Sequence, residues 1–342
     1  MDSAAPVVRR LAVVGLGSVG RALAALVAER HEQMVAELGV DLRITGVMTR
    51  SLGMVSSVDG LDLTALARGE APGGLPYDVT AVGAWLERSA ADVLVEASIV
   101  DLESGEPAST FLREALSRGI HGVTANKGPV VHAYRSLTDL AEAHGVRFRF
   151  ESATADCVPI YNLYREALPL DRPHRFRGMV NGTTTVILET IEAGGTYDEG
   201  VAEAQRRGIA EADPSLDVDG FDAAVKLIAI ANVLMGGDIR LADVEVTGIR
   251  DLDPAEVRAA AAAGTPIRLV AELSSDAAGV RARVAPVRLD ARDPFVGIGG
   301  GELAVHFEGG LMPGVTVVGH DLTPRQTAYG VLSDVIGVLR GR

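Results

Sequence analysis

The first half of the chain alternates short apolar runs with longer stretches of helical composition. Leu11–Val14 is an apolar run of strand length, Arg21–Leu38 is rich in alanine and leucine, and Leu42–Met48 returns to β-forming residues. Further strands are predicted at Asp92–Ala97 and Ile120–Ala125, with helices at Pro107–Arg118 and Tyr134–His144. The Gly/Pro-rich stretch Gly69–Pro76 reads as a surface loop. Repeated strand–helix units of this kind imply a parallel sheet with helices on both faces, and its ligands bind at the carboxyl ends of the strands. After Phe150 the rhythm changes. Arg175–Val180 reads as a strand that enters the turn Asn181-Gly182-Thr183-Thr184-Thr185 and then a helical run to Glu192. Arg258–Ala263 reads as a helix segment, Ile267–Leu273 and Val280–Leu289 as strands around a turn at Ser274–Gly279, and Arg325–Leu339 as a closing helix.

The first strand runs directly into Gly15-Leu16-Gly17-Ser18-Val19-Gly20, and a helix follows. This is the dinucleotide fingerprint G-x-G-x-x-G in the strand–turn–helix setting it needs. Gly15 permits the tight turn, Gly17 lets backbone approach a pyrophosphate, and Gly20 lets helix and strand pack closely. The helix N-terminal amides at Ser18 and Val19 would face the anion. A purely structural glycine turn is the alternative. The fold predicted for this half is therefore a Rossmann-type, doubly wound parallel α/β sheet. Arg50 and Ser51 lie just past the second strand, in the text Val47-Met48-Thr49-Arg50-Ser51, where no Asp or Glu stands. An acid there would hold a ribose 2′-hydroxyl, whereas an arginine suits a 2′-phosphate, so NADP is favoured over NAD. The plainer reading of Arg50 is a solvated surface arginine. Ser98 follows the third predicted strand and is placed on the same cofactor edge.

Composition narrows the function without choosing it. The chain has 342 residues, enough for about two domains. Its net charge of −14 argues against broad nucleic-acid or anionic-membrane binding, because there is no excess of cations to release counterions. No apolar run reaches the ~18 residues of a membrane span. A single cysteine, Cys157, forms no internal disulfide, which suits a reducing cytoplasm, and it reads as a packed small hydrophobe. The histidines are scattered without metal-ligand spacing; His320, beside Gly319, is a weak candidate for cofactor contact.

The densest chemistry lies at Gly208–Lys226. Five carboxylates, Glu211, Asp213, Asp217, Asp219 and Asp222, precede Lys226. Asp222 and Lys226 are four apart, so a helix puts them on one face with the acid N-terminal. A solvated surface pair is one reading. Against it, Lys226 is followed by Leu227-Ile228-Ala229-Ile230, and a lysine on a buried helix needs partners or a task.

These residues resemble the homoserine dehydrogenase family. The stretch Ala204–Lys226 is similar to that family's signature, Thr124-Ala125-Asn126-Lys127-Gly128-Pro129 resembles its Asn-Lys motif, and Arg177-Gly178-Met179-Val180-Asn181-Gly182-Thr183 resembles its substrate-domain turn. Gly319, Thr327-Ala328 and Asp334 resemble its closing segment. The resemblance spans almost the whole chain with its motifs in order. It implies NAD(P)-dependent, reversible reduction of L-aspartate 4-semialdehyde to L-homoserine, in threonine and methionine biosynthesis. It implies a dinucleotide-binding domain of residues 1–150 with 320–342, and an α+β substrate-binding and dimerisation domain of residues 151–319. By the same resemblance Glu211 takes the substrate amino group with Asp217 nearby, and Gly182 and Thr183 form a polar wall. Lys226 supplies a proton or positive charge to the substrate oxygen, and Asp222 orients it. Lys127 contacts cofactor and substrate and assists catalysis, Asn126 and Gly319 join the cofactor set, and two chains form a homodimer. The reaction needs the reacting oxygen beside an ε-ammonium, so two distant stretches of chain are expected to meet at a cleft.

Two departures from the family pattern stand out. Relatives bind a monovalent cation, usually sodium, through an acid and the carbonyls of a glycine-rich loop. Here the matching text is Glu151-Ser152-Ala153-Thr154-Ala155-Asp156-Cys157-Val158, with Glu151 as the acid and Thr154, Asp156 and Val158 at the carbonyl positions, but without the glycines. Many relatives also append a regulatory amino-acid-binding domain. The chain stops soon after its closing helix, so feedback by threonine through such a domain is not expected. Two other readings stay open: a related oxidoreductase acting on another short amino-acid aldehyde, and a nucleotide-binding sensor without turnover.

Overall fold

Six strands build the first sheet: β1 (Val7–Val14), β2 (Val40–Thr49), β3 (Gly53–Ser56), β4 (Val93–Glu96), β5 (His121–Thr124) and β6 (Phe148–Arg149). Their order is β3-β2-β1-β4-β5-β6, and all neighbours run parallel except β3, which folds back antiparallel on β2. The computed structural model describes residues 5–341. It parts into two units, one running to Cys157 and resuming at Thr323, the other Val158–Leu322.

The first sheet is covered on both faces, which is why its central strands are apolar without alternation. Leu11 and Val13 of β1 pack with Leu23 and Val27 of the helix Ser18–Gln33 and with Val331 and Val335 of the helix Pro324–Leu339. On the other face, Gly46 leaves room for Trp85, and Gly122 for Leu112 and Leu116. The sequence predicts one helix to Leu38. The α-helix instead ends at Gln33, a wider π turn spans Met34–Leu38, and Gly39 closes it at φ +66°. The loop Gly69–Pro76 is exposed as expected, yet Leu75 is bridged to Met54 of the β3 edge strand.

The second unit carries β7 (Pro173–Met179), β8 (Val244–Val246), β9 (Ile267–Asp276), β10 (Gly279–Arg288), β11 (Leu303–Gly309) and β12 (Val315–Gly319). Their order is β12-β11-β7-β9-β10-β8, antiparallel throughout except for β10 with β8. The helices Gly182–Glu192 and Phe221–Leu234 pack on this sheet. Charged residues bridge the strands, with Arg177 of β7 bonded to Glu272 of β9 at 3.0 Å and to Asp293 at 2.7 Å.

Candidate active site

The helix Phe221–Leu234 starts after Gly220, whose φ of +87° ends the preceding helical turn Ser215–Val218. Nearly every residue of this helix from Ala223 to Ala231 is buried. Lys226 is the cation in that run, with an ammonium side chain 11% exposed. Burying such a group without partners would cost several kcal/mol, and two partners are present. Nζ donates to the Val180 carbonyl oxygen at 2.5 Å and lies 2.8 Å from Asp222 Oδ2, one helical turn earlier.

Asn181 ties this pair to a second carboxylate. Its Nδ2 donates to Asp217 Oδ1 at 2.7 Å and to Asp222 Oδ2 at 3.1 Å. Its Oδ1 accepts from the Thr184 backbone N–H at 3.0 Å, capping the helix Gly182–Glu192. Thr183 Oγ1 donates to Asp217 Oδ2 at 3.1 Å. Burial pushes the Asp217 carboxyl up, and Asp222 beside it adds to this; Asn181, Thr183 and Lys226 hold it down. Gly182 opens the helix where a Cβ would press on the Gly301 carbonyl oxygen at 2.7 Å.

The structure thus brings together Lys226, Asp222, Asp217 and Thr183. It does not bring the Glu211 carboxylate into this network. Glu211 is exposed, and its backbone carbonyl accepts from Gln205 Nε2 at 3.1 Å. The sequence reads Asn181 as a turn residue in a segment that either only turns and caps or walls a small substrate; its bonds to Asp217 and Asp222 are not predicted. A polar cap directly between a strand and a buried threonine run was the available signal.

In the first unit, Gly15 sits at φ +94°, and a Cβ there would collide with the Ala97 carbonyl oxygen. A Cβ on Gly20 would strike the carbonyl oxygen of Gly15, so helix and turn are in direct backbone contact. Around Gly17, by contrast, a Cβ would meet nothing within 4 Å. Ser18 and Val19 form the first turn of the helix Ser18–Gln33, which carries no acidic residue there. Arg50 is exposed in the turn after β2, beside Thr49 and Ser51, whose hydroxyls are 3.3 Å apart.

Glu96 ends β4 and is fully buried. Its Oε1 accepts from the Ser98 backbone N–H at 2.8 Å and from the Ser98 hydroxyl, and its Oε2 accepts from Thr124 Oγ1 at 2.8 Å. Burial raises the Glu96 carboxyl, while Ser98, Thr124 and Asn126 oppose the rise. The Asn126 N–H donates to Thr124 Oγ1 at 2.9 Å, and Asn126 Oδ1 caps the turn at Gly128 N at 2.9 Å. Lys127 is half-buried as the first residue of the helix Lys127–His132. Asn126 Nδ2 is buried near the Glu96 carboxyl and makes no well-formed hydrogen bond to a protein acceptor.

The remaining sequence candidates are placed as follows. Glu151 is buried, and its N–H donates to Asp334 Oδ2 at 2.8 Å. Thr154 is buried, and Asp156 accepts from Thr327 Oγ1 at 2.6 Å. Val158 begins the second unit. Among the described residues, no group of three or more His, Cys, Asp or Glu side chains is gathered for a metal. Gly319 ends β12, where a Cβ would press on Val158 Cγ2 at 2.6 Å, and His320 is paired with Glu302.

Comparison with known proteins matches residues 15–151 to the NAD-binding domain of homoserine dehydrogenase and residues 159–336 to the homoserine dehydrogenase family itself. The chain is 36% identical over 339 residues to an NAD(+)-dependent homoserine dehydrogenase of Pseudomonas canavaninivorans, covering 96% of each. It is 32% identical to a homoserine dehydrogenase of Methanocaldococcus jannaschii, covering 95% of this chain and 97% of the relative. Among solved structures, a homoserine dehydrogenase from Thiobacillus denitrificans superimposes with a TM-score of 0.83 at 30% identity, over 98% of this chain and 74% of that one. A hyperthermophilic archaeal homoserine dehydrogenase in complex with NADPH gives 0.81 at 28% identity, over 98% and 99%. With both halves matched in order and relatives aligned nearly end to end, the chain belongs to the homoserine dehydrogenase family, NAD(P)-dependent oxidoreductases that interconvert L-homoserine and L-aspartate 4-semialdehyde.

Proposed function

We propose that Lys226 is the group that exchanges the proton with the substrate oxygen in this reaction. The observation that carries the reading is a cation on an otherwise buried apolar helix, fixed by Asp222 at 2.8 Å and by the Val180 carbonyl. A bound reduced nicotinamide supplies the hydride. As the aldehyde oxygen gains negative charge, the Lys226 ammonium stabilises it and delivers the proton. Asp222 is the positioning residue for Lys226. Asp217 takes the substrate ammonium, Glu211 joins it by the family resemblance although its carboxylate lies outside this network, and Gly182 and Thr183 wall the site. The second unit is the substrate domain, and the first unit is the dinucleotide domain.

The first unit's residues fit a dinucleotide. The open space at Gly17, the close-packed Gly15 and Gly20, and the amides of Ser18 and Val19 suit a pyrophosphate at a helix N-terminus. The buried amide of Asn126 has a donor left for a ligand, and Ser98 and Lys127 belong to the same unit; Gly319, in the second unit, joins the set by the family resemblance alone. Arg50 at the end of β2, where no acid stands, favours NADP through its 2′-phosphate. A specific observation supports the second reading, NAD, since the relative from Pseudomonas canavaninivorans is named for it. For a monovalent cation such as sodium, the donors would be the buried Glu151 and the carbonyls of Thr154, Asp156 and Val158, oxygen ligands of the kind hard cations take. Homodimer formation through the second unit rests on the family resemblance, and sedimentation velocity tests it. A cytoplasmic site of action fits the single cysteine; no helix among the described residues is long and apolar enough to cross a membrane.

The test is homoserine oxidation followed at 340 nm with NAD and NADP in parallel, with and without sodium. Turnover with both cofactors, faster at low NADP, supports the reading. Cofactor binding without any homoserine-dependent signal overturns it.

A further inference from the structure

A fully buried glutamate at the end of a central parallel strand is an anomaly. The strand reads Val93-Leu94-Val95-Glu96, and an apolar residue would complete that run. Buried acids are costly, and local rules are broken most often where function requires it. Glu96 pairs in register with Val14 of β1 on one side and Thr124 of β5 on the other. Val14 leads into the glycine turn, and β1 and β4 flank the point where the strand order changes direction, the usual place for a dinucleotide.

One carboxyl there joins two loops. Oε1 holds Ser98, which leads the chain away from β4 immediately after the Ala97 carbonyl that packs on Gly15. Oε2 holds Thr124, whose Oγ1 in turn accepts the Asn126 N–H at 2.9 Å and so fixes the turn that delivers Lys127. The Thr124 hydroxyl also lies 3.2 Å from the Glu96 backbone oxygen, so it has an alternative acceptor for its proton. We infer that Glu96 is a positioning residue for the dehydrogenase reaction, locking Ser98 and, through Thr124, the Asn126–Lys127 turn in the geometry that meets the nicotinamide end of the cofactor. This rests on the proposed role of Lys127 and goes beyond it by naming what holds that lysine in place.

The chemistry dictates the variants. Glu96→Gln keeps an acceptor for Ser98 and turns a donor toward Thr124. The Thr124 hydroxyl accepts that donor and sends its own proton to the backbone oxygen. Glu96→Leu suits the apolar strand and removes both ties. Thr124→Val removes the relay at nearly constant volume, and Thr124→Ser restores the hydroxyl.

The experiment measures kcat, cofactor KM and melting temperature for these four variants, for Lys127→Ala, and for Glu96→Leu combined with Lys127→Ala. The expected result is a fall in kcat of at least about tenfold in Glu96→Leu and Thr124→Val. Glu96→Gln and Thr124→Ser should stay within about threefold of the parent. Adding Glu96→Leu to Lys127→Ala should slow the enzyme by much less than Glu96→Leu does alone, because residues acting through one another are not additive and only the Ser98 tie remains to be lost. Wild-type kcat in a folded Glu96→Leu, independent multiplication of the two losses, or a Glu96→Gln as slow as Glu96→Leu overturns the proposal while the role of Lys127 stands. Unchanged turnover in Lys127→Ala overturns the underlying role instead. If Glu96→Leu fails to fold, the Thr124→Val and Thr124→Ser pair decides: loss with rescue supports the relay, and equal behaviour overturns it.

Discussion

Glu96 in the first unit and Asp217 in the second are both carboxyls raised by burial, yet their surroundings differ in kind. The hydrogen-bond partners of Glu96 are a backbone amide and two hydroxyls, Ser98 and Thr124, and they tie loops together. Asp217 belongs to a charged cluster in which Asp222, Asn181 and Lys226 share bonds within about one side-chain length. A network of neutral donors can hold a shape but has little to offer a reacting atom. A lysine held by a carboxylate can carry a proton and stabilise new charge. On the proposed reading, Glu96 serves positioning in the first unit and Lys226 carries the proton chemistry in the second.

The comparison is broken most severely at Lys226. Lys226→Ala is expected to lower kcat by about a thousandfold, some 4 kcal/mol of transition-state stabilisation, while circular dichroism still reports a folded protein. A folded variant with near-normal turnover would take proton chemistry away from the second unit. Asp222→Asn should cost less, about ten- to a hundredfold in kcat with little change in homoserine KM, because the lysine stays and only its orientation weakens. A variant with raised KM and normal kcat would instead make Asp222 a binding group.

Arg50→Ala examines the other side. It should raise the KM for NADPH by about tenfold, leave that for NADH within about twofold, and leave kcat alone. Equal effects on both cofactors would show that Arg50 does not read the 2′-phosphate.

The smallest effect is the pH dependence of Asp217. Burial raises its carboxyl, so on acidification it takes up a proton before an ordinary carboxylate, near pH 4, would do so. The homoserine KM should therefore rise as pH falls while still above that range, and Asp217→Asn should flatten the profile at a uniformly higher KM. The same sign governs stability. A raised carboxyl favours the folded state fully only below its unfolded value, and the contribution is lost as pH rises through the folded value. Asp217→Asn should accordingly gain melting temperature at neutral pH and lose that gain in acid.

The two regions also differed in how legible they were. The parallel sheet of the first unit could be read because both-face burial leaves unbroken runs such as Leu11–Val14, and because Gly15 and Gly20 are forced by close backbone approaches while Gly17 leaves open space. The antiparallel edge β3 is not among the predicted strands, since four residues beginning with glycine carry no period, although only residues 50–52 separate it from β2. In the second unit β11 and β12 are not among the predicted strands: Gly310, Pro313 and Gly314 mark the loop between them, and the runs on either side are short. The helix Tyr197–Arg206 was missed although its Thr196–Glu199 capping box is local and visible. At the site, the Asp222–Lys226 pair follows from helical spacing alone. Asn181 does not, because its partners Asp217 and Asp222 are 36 and 41 residues away and only tertiary folding brings them together. Glu96 falls inside the predicted strand Asp92–Ala97, and nothing local announces that its carboxyl faces Thr124.

The central claim is that the Lys226 ammonium serves the reacting oxygen. A crystal structure with homoserine and oxidised dinucleotide bound tests it most directly. The account requires Nζ within about 3 Å of the homoserine hydroxyl oxygen, with Asp222 still bonded behind it. A substrate hydroxyl bound by some other donor, with Nζ remote from it, would contradict the account.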